Sequence, residues 1–108
     1  MLSAKFFVLE SGTIIGFELC GHSGYAESGK DIVCSAVSSA AYMTVNTIID
    51  VMGIPADVNV NESSGYMKIL IGPKDALLCK DILNGFKSHL LFLEEIYSKN
   101  INVNYTEV

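Results

Sequence analysis

Thr13-Ile14-Ile15-Gly16-Phe17-Glu18-Leu19-Cys20-Gly21-His22, and after it Asp31-Ile32-Val33-Cys34-Ser35-Ala36-Val37, decide the fold of this chain. The first run alternates with a period of two. Ile15, Phe17 and Leu19 share one face; Ile14, Gly16, Glu18 and Cys20 share the other, which predicts a strand. Carried past Cys20, the same period puts His22 beside Cys20 and opposite Phe17 and Leu19. The second run opens a different rhythm. Val33, Val37, Ala40, Ala41, Thr44, Ile48 and Val51 recur at three- and four-residue spacing, which predicts a helix. Asp31 fits its N-cap, because a carboxylate there accepts from the unpaired amides of the first turn. Gly53 followed by Pro55 fits its stop. Between the two elements, residues 22–30 form a loop framed and filled by Gly21, Gly24 and Gly29. A loop of this composition can close over a bound ligand.

Upstream, residues 4–10 place Phe6 and Val8 on one face and Phe7 and Leu9 on the other. Aromatic and β-branched residues favour a strand there, and Ser11-Gly12 turns it back as a hairpin with the next one. Downstream, Val58 and Val60 alternate with Asp57, Asn59 and Asn61 in a half-buried strand. Ser63-Ser64-Gly65 makes a turn, and residues 66–71 alternate again. Gly72-Pro73 then breaks into a second helix with the stripe Leu78, Ile82, Phe86, Leu90, Leu93 and Tyr97. Within it Ile82, Phe86, Leu90 and Leu93 read as core first and as a dimer surface second. Asn100 stops the helix, and Ile101, Val103 and Tyr105 mark a last strand. The order β-β-α-β-β-α-β predicts an α+β fold: one mostly antiparallel sheet with two packed helices. Residues 1–108 suit one domain with one core.

Half of the residues are apolar and 18% are charged, so a packed core is within reach and disorder is not expected. The net charge of −5 speaks against direct gripping of nucleic acid, which needs a basic face. It suits a basic protein tail. No apolar run in the sequence approaches the roughly 18 residues of a membrane span, so no membrane partner is expected. The opening Met1-Leu2-Ser3-Ala4-Lys5 lacks the layout of a signal peptide. Three cysteines, an odd number, then read as reduced thiols in a cytoplasmic protein.

Cys34 falls at the third helical position if Asp31 is the cap. Unpaired amides and the helix dipole there favour a thiolate over a thiol. His22, twelve residues earlier, is the only histidine close to it in sequence. A loop of that length can fold back, and an imidazole within hydrogen-bond reach can take the thiol proton. The amides of Cys34, Ser35 and their neighbours are candidate donors to an oxyanion. Asp31 caps the helix, orients His22, or does both. Spacing alone leaves a buried structural cysteine as the commoner fate of a helix Cys. Cys20, His22 and Cys34 form a conceivable zinc set, the less favoured reading because they lack the CxxC pair or second histidine of a usual one; no metal and no cofactor is expected. Cys20 is expected beside the site or in the core, Cys79 as packing, and His89 on the surface or satisfied in the core. Ser38 lies one turn after Cys34 on the same face. It either supports the site or bonds its own helix backbone. Lys30 either touches a substrate carbonyl or is solvated, and Tyr25 either lines the pocket or packs the base of the loop.

Gly21-His22-Ser23-Gly24-Tyr25, followed by Gly29-Lys30-Asp31-Ile32-Val33-Cys34-Ser35-Ala36-Val37-Ser38, resembles the signature of the ribosomal-processing cysteine protease Prp family. Length and element order are also similar over nearly the whole chain. Ser23 and Ser35 stand where many members carry alanine, a small-for-small change. The resemblance implies a cysteine endopeptidase with His22 and Cys34 as the dyad and Asp31 and Ser38 in support. It implies substrate contacts from Gly21, Ser23, Gly24, Tyr25, Gly29, Lys30 and Ser35. It also implies that the substrate is a large-subunit ribosomal protein, cut after an aromatic pair to remove a short N-terminal extension. A homodimer and a glycine loop that orders over the bound peptide belong to the same picture. The rival reading is a non-catalytic ribosome-associated module that binds a basic peptide in the same groove.

Overall fold

A computed structural model describes residues 1–22, 24–27 and 31–108. Its strands are β1 (Leu2–Val8), β2 (Ile14–Cys20), β3 (Asp57–Asn61), β4 (Tyr66–Leu70) and β5 (Ile101–Glu107). Its helices are α1 (Ile32–Asn46), α2 (Pro73–Leu78) and α3 (Lys80–Ile96). Among the described residues these strands form a five-stranded sheet in the order β3-β4-β2-β1-β5. Every pairing is antiparallel except β1 with β5, which run parallel. The expected α+β class and the mostly antiparallel sheet are therefore present.

Period-two alternation gives the sheet one buried face. Leu2, Ala4, Phe6, Phe17, Leu19, Met67, Ile69 and Ile101 point into the core. Register partners meet there: Phe6 with Phe17, Ala4 with Leu19, and Phe17 with Ile69. Phe86 of α3 packs on the two phenylalanines, with ring centroids 4.6 Å from Phe17 and 5.8 Å from Phe6. α1 adds Val33, Val37, Ala41, Thr44 and Val45 to the same core, and the turn after it adds Ile48. The hydroxyl of buried Thr44 donates to its own helix at Ala40 O, 2.8 Å away.

Five expectations need correcting. The second helix is two helices, because the chain bends at Cys79, whose φ of −96° and ψ of 8° end α2 and start α3. The buried stripe is Ala76, Cys79, Leu83, Phe86, Leu90 and Leu93, so Leu78 is left 68% exposed. That stripe keeps a strict three–four alternation, whereas the expected one runs through Leu78, Ile82, Phe86 and Leu90 at steps of four. In the first helix, a π turn over Thr47–Val51 follows α1, and its wider spacing swings Val51 out to solvent. β3 is exposed along its whole length. Val58 and Val60 pair with core residues Ile69 and Met67, but their edge position leaves them open. Finally, α1 and the π turn together span Ile32–Val51 with mean hydropathy 1.5, long and apolar enough by length and composition to cross a membrane. This departs from the expectation that no apolar run approaches a membrane span. One face of this helix is built into the core of the sheet.

Candidate active site

β2 ends at Cys20, and Gly21 then takes a φ of 84°, a left-handed conformation that a side chain would oppose. This turn breaks the strand's alternation. His22 consequently lines a cleft together with Leu19, and Cys20 is exposed. The period-two reading had placed His22 with Cys20 and opposite Leu19, and it fails at Gly21. Of the two places expected for Cys20, the core is excluded by its exposure, whereas its neighbours Gly21 and Tyr66 both line the cleft. Among the described residues, Cys20 does not line the cleft.

The cleft encloses about 340 Å³. Four elements meet in it. The end of β2 brings Leu19, Gly21 and His22; the start of β1 brings Leu2. α1 contributes Cys34, Ser35, Val37, Ser38 and Tyr42. The β3–β4 hairpin closes the far wall with Val60, Glu62, Gly65, Tyr66 and Met67. His22 and Cys34 thus face one shared space. Cys34 is half-buried, and none of Cys20, Cys34 and Cys79 is in a disulfide.

Cys34 is held there by the start of α1. Asp31 is the N-cap, itself buried, and its Oδ1 accepts from the amides of Val33 and Cys34, both at 3.0 Å. The amide of Ser35 donates to the Asp31 carbonyl at 3.1 Å. This corrects the oxyanion expectation: the amides of Cys34 and Ser35 are already engaged by Asp31. The capping role expected for Asp31 is present.

Two tyrosines border the site. The Tyr42 hydroxyl donates to Glu62 Oε1 at 3.3 Å, which ties α1 to the hairpin across the cleft. Partial burial, and then the Glu62 charge, push the Tyr42 pKa up. The Tyr66 hydroxyl donates to Glu18 Oε2 at 2.9 Å, and that bond is the main cause of its raised pKa.

Of the residues expected to touch substrate, Gly21 and Ser35 line the cleft, as does the supporting Ser38. Tyr25 does not. Its ring meets Tyr97 edge-on at 5.6 Å, so it packs the base of the loop. Gly24 is exposed and stands away from the cleft lining. Ser23, Gly29 and Lys30 lie outside the described residues. His89 is exposed and Cys79 is buried in the core. The sequence reading missed the hairpin wall altogether. Ser63-Ser64-Gly65 announced a turn, but nothing in it announced which side chains the turn would face.

The profile of the cysteine protease Prp family matches residues 1–102. The chain belongs to this family. It is therefore a cysteine protease, and the resemblance read from the glycine, histidine and cysteine spacing holds. Similar proteins include the ribosomal processing cysteine protease Prp of Staphylococcus aureus strain Mu50, 29% identical over 105 residues, covering 97% of this chain and 99% of that one. The protein of the same name from Bacillus subtilis strain 168 is 28% identical over 94 residues, covering 83% of this chain and 84% of its own. The fold is similar to a crystal structure of an essential ribosomal processing protease Prp from S. aureus in complex with a covalently linked product peptide. The TM-score is 0.91 at 28% identity, over 98% of this chain and all of that one. A structure of the S. aureus protease with a substrate peptide gives 0.86 at 27% identity, with the same coverage.

Proposed function

We propose that this Prp-family protease removes a short N-terminal extension from a large-subunit ribosomal protein, with Cys34 as nucleophile and His22 as general base. The observation that carries this reading is the meeting of Cys34 and His22 in one cleft, delivered by different elements. In this mechanism the Cys34 sulfur attacks the scissile carbonyl carbon while His22 accepts the thiol proton. The tetrahedral oxyanion collapses, the C–N bond breaks, and His22 returns the proton to the leaving amine. A thioester remains on Cys34. Water, relieved of a proton by His22, hydrolyses it and restores the thiol.

The lining supports a peptide substrate of mixed character. Leu2, Leu19, Val37, Val60 and Met67 offer apolar surface, suited to an aromatic residue beside the cut. Glu62 places a carboxylate at the wall, oriented by Tyr42, and the net charge is −5. Both suit a basic tail. Peptide complexes of the S. aureus relative favour the protease over the binding-module reading. A homodimer in the cytoplasm completes the proposal, and light scattering on the purified protein tests the dimer.

The decisive experiment incubates the protein with the ribosomal precursor and reads the products by mass spectrometry. A single cut after an aromatic pair is expected. Cys34→Ala should lose cleavage and keep the fold and peptide binding. Cleavage surviving in that variant would end the assignment of the nucleophile.

A further inference from the structure

We propose that Gly65 is a positioning residue for His22, and that its missing side chain is what lets the imidazole sit in the cleft. This rests on the reading of His22 as the base. Gly65 closes the β3–β4 turn with a φ of 66°, and its amide donates to Glu62 O at 3.2 Å. A Cβ added there would lie 2.5 Å from the Gly21 carbonyl oxygen and 3.1 Å from His22 Cε1. The first of these is a backbone atom and cannot swing aside. On its other side Gly21 is confined too, since a Cβ on it would stand 3.0 Å from the Met1 carbonyl oxygen. The Gly21-His22 dipeptide is thus wedged between the start of β1 and the hairpin turn. Bulk at Gly65 is relieved by moving the peptide that carries the base or the hairpin wall that faces it, and either changes how the imidazole sits in the cleft.

Base catalysis needs the imidazole within hydrogen-bond reach of its proton. A misplacement of about 1 Å can cost about a hundredfold in rate. Gly65→Ala is therefore expected to lower kcat at least about tenfold, with a smaller change in KM, and to shift the His22 Cε1–H resonance in proton NMR. Two further variants separate crowding from backbone strain. Asn tolerates a positive φ better than Ala but carries the same Cβ, so Gly65→Asn is expected to be as impaired as Gly65→Ala. Gly53 has a φ of 68° with no atom within 4 Å of an added Cβ, so Gly53→Ala is expected to keep full cleavage. Recovery of kcat in Gly65→Asn would reassign the effect to strain and overturn the proposal. Independently of any variant, the native protein is expected to show a nuclear Overhauser contact between His22 Hε1 and the Gly65 Hα protons, and its absence also overturns the proposal. His22→Ala separates the two readings. Cleavage retained in that variant sinks the base and this proposal together. Cleavage lost there but with native kcat in Gly65→Ala sinks this proposal alone.

Discussion

Asp31 Oδ1 accepts the backbone amide of Cys34 at 3.0 Å, so the residue that starts α1 also fixes the peptide bearing the thiol. The same oxygen takes the Val33 amide, and the Asp31 carbonyl takes that of Ser35. Replacing an N-cap aspartate by alanine costs about 0.5–2 kcal/mol, while asparagine or serine preserves the cap. Asp31→Ala should lower the urea midpoint accordingly, and Asp31→Asn should recover most of the loss. Because the first turn of α1 carries Cys34, cleavage should fall in Asp31→Ala by more than the unfolded fraction explains. Equal urea midpoints for the two variants would show that Asp31 does not act as a cap.

The three thiols should separate by environment. Cys20 is exposed, Cys34 is half-buried at the cleft, and Cys79 is buried. Burial, and then the Asp75 charge, push the Cys79 thiol up in pKa and so hold it protonated at neutral pH. Iodoacetamide at pH 7 should modify Cys20 and Cys34 in the native protein and reach Cys79 only after denaturation. Peptide mass spectrometry of the labelled protein reads this directly. Native labelling of Cys79 would mean that the bend between α2 and α3 opens.

Tyr66 gives the alkaline limb of stability a local cause. Its hydrogen bond to Glu18 holds the phenol proton more tightly in the folded protein than in the unfolded chain, where the ordinary value is 10.0. The folded state therefore binds the proton better, and stability falls as pH rises across this range. The contribution is whole below pH 10.0 and fades as pH climbs through the higher folded-state value. Urea unfolding from pH 7 upward should show Tyr66→Phe less stable at neutral pH. The gap between the two proteins should narrow above pH 10. A constant gap would remove Glu18 from the explanation.

Much of this was legible in the sequence because it rests on local chemistry. Period-two runs with aromatic and β-branched residues marked β1, β2 and β4, and Asp31 before an apolar stripe marked the start of α1. His22 and Cys34 were legible as a pair because both flank one loop. Long-range geometry was not. Gly21 announced a turn but not its φ, so the side His22 would take was misread. The hairpin turn at Gly65 is remote in sequence, and only the pairing of β4 with β2 brings it to the imidazole. The bend at Cys79 carries no proline or glycine.

The last strand shows how the sheet protects an open side. β5 is an edge, and such strands present unpaired amides to other chains. Here the Val103 amide donates to Glu94 Oε2 of α3 at 2.6 Å, so a side chain occupies the place of a further strand. Hydrogen bonds to charged groups contribute about 1.5–3 kcal/mol. Glu94→Ala is expected to lose about that much, and Glu94→Gln, which keeps an acceptor oxygen, should lose less. The alanine variant also bares the Val103 amide at an edge otherwise open to pairing. It should self-associate more than the native protein as concentration rises, with light scattering as the readout. A variant equally stable and no more associated would show that Glu94 adds nothing to this edge.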